Sequence, residues 1–320
     1  MIEATFRPAT IDDAALAADL MTAAYPMLAE DPVLTRHRWE HPRHGFSYQR
    51  FIAEVEGQPV AFVAAGHGPW DQLPGRECEV EVSLDRGRLN GDLLTQLWAW
   101  IGDRAVGDGA RILEAYAAED EPEVLKTLTG LGYRRDRVER VWELDLRAHG
   151  KRLLGEAGAA RKEMLAHGVE LLTLSDWGDP EKFRKVYVLN EVTLQDAPHT
   201  TPILPMTFDD FMERLNRPDK LHDRYWVARH GDHAVALSFL TYPSVRGSVW
   251  TGFTGCHPEH RRRGIARAVK LQSLAQAVEL GVPSVFTDND SENAPMLHIN
   301  EQLGYRRRPG FVSFLKRVEP

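Results

Sequence analysis

The sequence predicts an α/β (α+β) protein built from two similar domains in tandem, and two observations carry this prediction. In the C-terminal half, a strand-like run ends at Cys256, an arginine- and glycine-rich turn follows, and a strongly helical run begins at Ile265. The second observation is an internal repeat, because comparable elements recur in both halves at nearly the same spacing. A chain of 320 residues is long enough for two domains of ordinary size.

The C-terminal elements follow from local composition. Residues 248–256 are rich in β-branched and aromatic residues, which favours a strand, and the His-Pro-Glu segment at 257–259 ends it. Residues 265–280 are good helix formers, and Gly281 with Pro283 ends the helix. One face of this helix is predicted to pack on a sheet, because apolar residues recur at helical spacing, namely Ile265, Ala268, Leu271, Leu274, Ala275 and Val278.

The turn at residues 261–266 has the features of an anion cradle. The first backbone N–H groups of a helix have no partner within the helix and lie at the positive end of its dipole. Gly264 and Ala266 have no bulky side chain, so phosphate oxygens can approach the backbone. Three arginines add forked cationic donors. Taken alone, a solvated basic helix start explains the segment equally well.

The residues that follow point to a family. A short strand at Ser284–Thr287 precedes an asparagine-rich loop at 288–293, a helix and the sequence Leu303-Gly304-Tyr305. The order strand, Arg-x-x-Gly-x-Ala, helix, strand, Asn-rich loop, helix, Leu-Gly-Tyr resembles the GNAT superfamily of acyl-CoA-dependent N-acetyltransferases over roughly residues 169–316. The resemblance implies a mixed, mostly antiparallel sheet flanked by helices in each domain.

The resemblance also implies a binding site for acetyl-CoA, as co-substrate, and no metal. In that family the cradle binds the pyrophosphate of coenzyme A, the end of the preceding strand pairs with the pantetheine arm, and asparagines hold the pantetheine and the next helix. Cys256 is expected to be a small strand residue rather than an acyl-carrying nucleophile. The candidate residues are therefore Thr254, Gly255, Cys256, Arg261, Arg262, Arg263, Gly264, Ile265, Ala266, Asn289 and Asn293.

The internal repeat extends this interpretation to the N-terminal half. Three pairs have nearly equal spacing along the chain, namely Gly57 with Gly231, Gly91 with Gly264, and the Leu-Gly-Tyr triplets that begin at Leu131 and Leu303. The chain therefore resembles two GNAT domains in tandem. We expect a degenerate N-terminal GNAT-like domain over residues 1–149, a helical linker over 150–168, and a C-terminal GNAT domain with the acetyl-CoA site over 169–320.

In the first copy, the segment that corresponds to the cradle lacks the features needed to bind an anion. Leu93 replaces the small residue and is expected to block the approach of phosphate, while Asp92 places a carboxylate where pyrophosphate charge would lie. An acidic loop at residues 117–123 stands where the second copy has its asparagines. We expect that the N-terminal domain does not bind acetyl-CoA and instead shapes the substrate cleft or stabilises the other domain. Retention of some other ligand is the alternative.

The catalytic residues stay unknown at this level. Acetyl transfer needs a deprotonated amine, a stabilised oxyanion and a proton for the departing thiolate. Asn300 stands where the family has a tyrosine acid, and an amide is not an acid near neutral pH. No general base stands out near the cradle. Three acidic residues of one N-terminal strand face the same side, namely Glu77, Glu79 and Glu81. One of them could help if the two copies share a cleft, but we favour a solvated strand face.

Composition restricts the partners, the location and the metal sites that we expect for the protein. A net charge of −8 argues against a broad nucleic-acid surface and weakly favours a cationic amine. There is no run of about 18 apolar residues and no secretory signal, and the two cysteines are too few for a disulfide framework, so we expect a cytoplasmic protein without a membrane span. The histidines form no metal-binding motif. The proline-dense segment 196–206 is either a substrate-gating loop or an ordinary surface loop.

The expected function is acetyl-CoA-dependent transfer of an acetyl group to a primary amine of a small molecule, with the C-terminal domain active. A non-catalytic acyl-CoA-binding or interaction protein is the alternative, because the tyrosine and an obvious base are both missing. We expect a monomer or homodimer.

Overall fold

The computed structural model describes residues 3–195 and 200–318, and within these ranges the chain forms a repeated α/β unit. The first half contains strands β1 (Thr5–Pro8), β2 (Ser47–Val55), β3 (Gln58–His67), β4 (Glu77–Leu84), β5 (Ile112–Ala118) and β6 (Arg134–Asp145). Its helices are α1 (Ala14–Ala24), α2 (Pro32–Glu40), α3 (Gly91–Gly107) and α4 (Pro122–Gly130). Part of the predicted 196–206 loop, residues 196–199, lies outside the described residues.

The second half repeats the same order of elements. Helix α5 (Leu146–Ala166) leads into it and spans most of the predicted linker. The strands are β7 (Val169–Thr173), β8 (Tyr225–His230), β9 (His233–Thr241), β10 (Val249–Cys256), β11 (Ser284–Asp290) and β12 (Arg306–Arg317). The helices are α6 (Lys182–Leu194), α7 (Phe208–Leu215), α8 (Ile265–Glu279) and α9 (Ala294–Leu303).

The described strands form one continuous sheet of twelve strands, in the order β1-β2-β3-β4-β5-β12-β6-β11-β10-β9-β8-β7. Strands β4 and β5 pair in parallel, as do β10 and β11, and the other neighbouring strands pair antiparallel. The predicted α/β fold, a mixed and mostly antiparallel sheet flanked by helices, is therefore confirmed.

The two halves exchange their last strands. β12 of the second half pairs with β5 of the first, and β6 of the first half pairs with β11 of the second. β6 and β12 also pair with each other at the centre of the sheet. Each half therefore depends on the other for one strand of its own sheet, so residues 1–149 and 169–320 each lack a strand that the fold requires.

Side-chain packing follows the exchange. Val312 and Phe314 of β12 are buried in the core of the first half, among residues of β2 to β5 and α3. Trp142 and Leu144 of β6 are buried in the core of the second half, against α5 and α8. Burying a large apolar side chain contributes about 1.5–3 kcal/mol, so each exchanged strand adds several kcal/mol to the opposite half. No helix in the described ranges is long and apolar enough to span a membrane.

We expect residues 1–168 and 169–320 to fold only together. Either fragment alone would leave strand edges unpaired and expose the apolar side chains that the exchanged strand normally covers. When the two fragments are co-expressed with an affinity tag on one of them, both should be recovered together with the circular dichroism spectrum of the intact chain. Cooperative unfolding of either fragment by itself would contradict the exchange.

Candidate active site

Strands β10 and β11 diverge and leave an opening in the sheet. They pair in parallel only at Val249 and Trp250, whereas β10 continues to pair with β9 as far as Cys256, past an irregularity at Gly252. Beyond Trp250, the edge of β10 that faces away from β9 has no strand partner among the described residues. Such an edge offers backbone groups to an extended ligand. The predicted residues Thr254, Gly255 and Cys256 lie along it.

The predicted cradle follows at the end of this edge. A single 3₁₀ turn at Pro258–His260 leads to Arg262 and Gly264, which both have left-handed backbone, with φ of 61° and 76°. Gly264 is the N-cap of α8, and no side chain caps this helix. Two left-handed residues in one turn and an uncapped helix start can direct several N–H groups toward one anion. The exposed residues 261–264 form this turn, and Ile265 and Ala266 begin the helix.

One cradle arginine has a structural partner. The Arg261 Nε donates a hydrogen bond of 3.1 Å to the Cys256 backbone oxygen, so this side chain ties the turn to the end of β10. Burial raises the pKa of the Cys256 thiol to about 11. A thiol that stays protonated at neutral pH is a poor nucleophile, which agrees with its interpretation as a strand residue.

In the first half, the start of α3 is the equivalent of the cradle, and a side-chain cap closes it. The turns before α3 and α8 begin at Arg86 and Pro258, and at that spacing Gly264 corresponds to Asp92 and Ile265 to Leu93. Leu93 is only 2% exposed and packs in the core, so it does not block the turn. Instead, Asn90 caps α3, and its Oδ1 accepts hydrogen bonds from the backbone of Asp92 and Leu93. The backbone N–H groups of Asp92 and Leu93 therefore already have a hydrogen-bond acceptor.

The two predicted asparagines have separate roles. Asn293 is the N-cap of α9 and accepts a hydrogen bond from the Met296 backbone. Asn289 lies within β11, because this strand extends past the predicted end at Thr287 to Asp290. Its Oδ1 accepts a hydrogen bond of 2.6 Å from the Asn300 side chain. This hydrogen bond restricts the position of the Asn289 side chain, and its donor, Asn300, stands where the family has a tyrosine.

Asn300 belongs to a buried polar chain that the sequence did not reveal. Lys270 on α8 and Asn300 on α9 are both 0% exposed. The Lys270 Nζ donates a hydrogen bond of 2.8 Å to the Asn300 Oδ1, and it lies 5.1 Å from the centre of the Tyr305 ring. Burial lowers the pKa of Lys270 to about 7. Because lysine is usually exposed, the helical pattern gave no signal for this residue.

A cavity of about 340 Å³ adjoins the end of the β10–β11 pairing. Asn289 faces α9, so its neighbour Asp288 points to the opposite face of the sheet, where it lines this cavity with Trp250. The first half supplies part of the wall, including Leu34 and Glu139. Glu139 reaches this place because β6 is an exchanged strand and pairs with β11.

Glu139 and Asp288 are two carboxylates without a hydrogen bond from any other described residue. Burial, followed by the charge of Asp288, raises the pKa of Glu139 to about 7. Burial also raises the pKa of Asp288. Neither residue was predicted as part of the site, because Glu139 belongs to the other half of the chain and Asp288 was assigned to a loop.

Comparison with known proteins agrees with this geometry. Residues 189–305 match the model of the acetyltransferase (GNAT) family. The second half therefore contains a GNAT acetyltransferase domain, and by class the protein is an acyltransferase. No curated protein matches the sequence at a significant level.

Solved structures extend the likeness to the whole chain. A tandem GNAT protein from the clavulanic acid biosynthesis pathway superposes with a TM-score of 0.77 at 18% identity, covering 99% of both chains. A GCN5-related N-acetyltransferase from Sphaerobacter thermophilus has a TM-score of 0.69 at 17% identity, covering 99% of this chain and 96% of the other. At these identities the likeness shows the fold, which is that of a tandem GNAT protein.

No group of three or more His, Cys, Asp and Glu residues within the described ranges is arranged to hold a metal ion.

Comparison of the Lys270→Met variant with the wild type tests the buried polar chain through the pH dependence of the free energy of unfolding. The pKa of Lys270 is about 7 in the fold, against the ordinary lysine value of 10.5. Between these pH values the unfolded state binds more protons, so the free energy of unfolding of the wild type should rise with pH relative to the variant and stay flat below about pH 7. Urea unfolding from pH 6 to 10 measures this difference. The exposed Lys151→Met change is the control, and a difference that is flat over the whole range would contradict the buried position.

Proposed function

We propose that this GNAT protein is an acetyl-CoA-dependent N-acetyltransferase that moves an acetyl group directly to a primary amine of a small molecule. The second half would hold the acetyl-CoA. One observation carries this proposal: the free edge of β10 leads into an uncapped helix start, while a cavity with two unpartnered carboxylates adjoins the same opening.

The residues of the second half fit coenzyme A. The backbone of Thr254, Gly255 and Cys256 would pair with the pantetheine arm along the free edge. The N–H groups of residues 263–266 would bind the pyrophosphate, and the exposed Arg262 and Arg263 would add charge. A Cβ placed at Gly264 would meet no atom within 4 Å, so the turn has room for phosphate oxygens. When bound, acetyl-CoA supplies the activated acetyl group.

The cavity residues fit an amine. An ammonium group that enters the cavity would be attracted by Glu139 and Asp288. A carboxylate with a pKa near 7 is well matched to accept the proton that the amine must lose before it attacks. Because Glu139 comes from β6, the first half contributes to catalysis without binding acetyl-CoA itself. Asn300 would position Asn289 rather than donate a proton.

The location and assembly of the protein stay predictions. Both cysteines are free and buried, which suits a reducing cytoplasm. A monomer or homodimer, and a small-molecule partner rather than nucleic acid, are the expectations from composition.

The Gly264→Glu variant should bind acetyl-CoA at least ten times more weakly than the wild type in calorimetric titration. The added carboxylate would occupy the space for the pyrophosphate and repel it. Gly281→Glu is a matched control, because Gly281 follows the other end of α8, has φ of 75° and is equally open. Both changes carry a similar backbone cost of about 1 kcal/mol. Equal affinities in the two variants would argue against the cradle.

Glu139→Gln should lower kcat/KM for the amine by about 100-fold or more, the usual contribution of a general base, while the acetyl-CoA affinity stays unchanged. In the wild type, activity should rise as pH increases through about 7, because the Glu139 carboxyl must lose its proton, and this rise should be lost in the variant. Glu143→Gln on the same strand is the control, since Glu143 pairs with Arg308 outside the cavity. A pH profile that is the same in Glu139→Gln and the wild type would exclude Glu139 as the base.

A panel of diamines, amino sugars and amino acids, with release of the free CoA thiol as the readout, tests the activity itself. Release that depends on the amine supports acetyl transfer. Tight binding of acetyl-CoA without turnover of any amine would support the non-catalytic acyl-CoA-binding alternative, for which the buried Asn300 is the motivating observation.

A further inference from the structure

A second cavity, of about 500 Å³, lies mainly in the first half and has no part in the proposed acetyl transfer. Its walls come from α2 and strands β2, β3 and β4, and the end of α7 closes it from the second half. Four aromatic side chains are among the lining residues, namely Trp39, Phe46, Tyr48 and Phe62. The cavity is thus large enough and apolar enough for a small molecule.

Five arginines line this cavity, and three of them already have partners. Arg38 pairs with Glu30, Arg217 pairs with Asp219, and Arg43 donates hydrogen bonds to the backbone oxygens of residues 204 and 205. The remaining two are Arg50 of β2 and Arg214 of α7.

Arg50 and Arg214 have guanidinium groups that form no hydrogen bond or ion pair with any described residue. The guanidinium of Arg50 lies between two rings, 5.0 Å from the centre of Trp39 and 4.9 Å from that of Tyr48. Burial lowers the pKa of both arginines, although each stays charged. Arg50 is half-buried and Arg214 is exposed, so an anion that enters the cavity can reach the free donors of both guanidinium groups.

Glu79 and Glu81 of β4 also line the cavity, on the same face of the sheet as Arg50, because Ala64 of β3 pairs with both Arg50 and Glu81. Glu79 is exposed, as the predicted solvated strand face requires, whereas Glu81 is half-buried. Desolvation and the neighbouring Glu81 raise the pKa of Glu79 to about 7, and desolvation raises that of Glu81. In its protonated form a carboxyl group repels an anion less than a carboxylate does, and it can donate a hydrogen bond to a polar group of a ligand.

We propose that this cavity is a second ligand site, which binds a small aromatic compound with an anionic group, either a carboxylate or a phosphate. Arg50 and Arg214 would bind the anionic group, and the rings of Trp39, Tyr48 and Phe62 would contact the aromatic part. This second site uses neither acetyl-CoA nor the cradle. A test of ligand binding here is therefore independent of the proposed acetyl transfer.

The probes are benzoate and phenyl phosphate, with benzamide as the neutral analogue, added to the full-length protein without acetyl-CoA. Ligand-observed NMR titration should show at least one anion binding ten or more times more tightly than benzamide. The preferred probe identifies the anionic group. Absence of binding by both anions, or equal binding of benzamide, would overturn the proposal.

Two variants test the arginines. Arg214→Gln and Arg50→Gln should each weaken binding of the preferred anion at least tenfold. Arg214 is exposed at the end of α7, so its replacement leaves the fold intact even if Arg50→Gln destabilises the protein. The control is Arg36→Gln, because Arg36 is on α2 but pairs with Glu40 outside the cavity. Unchanged affinity in Arg214→Gln would remove this residue from the site, and unchanged affinity in both would refute the proposal.

Discussion

The exchange of β6 and β12 is the constraint on which the rest of the structure depends. Each strand pairs with the sheet of the other half and buries its apolar side chains there, so the two halves form one sheet with shared cores. The same exchange brings Glu139 beside β11 and places it in the cavity next to Asp288. Stability and the composition of the candidate site therefore have one structural cause.

The two halves have the same framework but differ at the start of one helix. In both, a parallel strand pair separates and a 3₁₀ turn leads to a helix. In the first half, Asn90 occupies the N–H groups of α3, whereas in the second the left-handed Gly264 leaves those of α8 available. A single capping side chain thus separates a closed helix end from the proposed anion site. Both cavities are nevertheless lined by residues of the two halves together.

At the position where the family has a tyrosine, Asn300 joins a polar chain with Lys270 and Asn289. Asn300 uses its oxygen to accept from Lys270 and its amide to donate to Asn289. A buried lysine and amide are costly unless their groups are hydrogen-bonded, so these contacts restrict the positions of all three side chains. The position that carries an acid in the family is here a support for a proposed pantetheine contact.

The sequence by itself determined the repeated α/β units, the family and the cradle, because strand propensity, glycine turns and helix periodicity are local properties of residues such as Gly264 and Ile265. It also located Asn293 at a helix start. Only the tertiary structure decided which strand completes which sheet, and hence that Glu139 meets Asp288, because strand pairing between distant segments leaves no local pattern. Burial of Lys270 was likewise invisible, since it depends on what packs against the side chain.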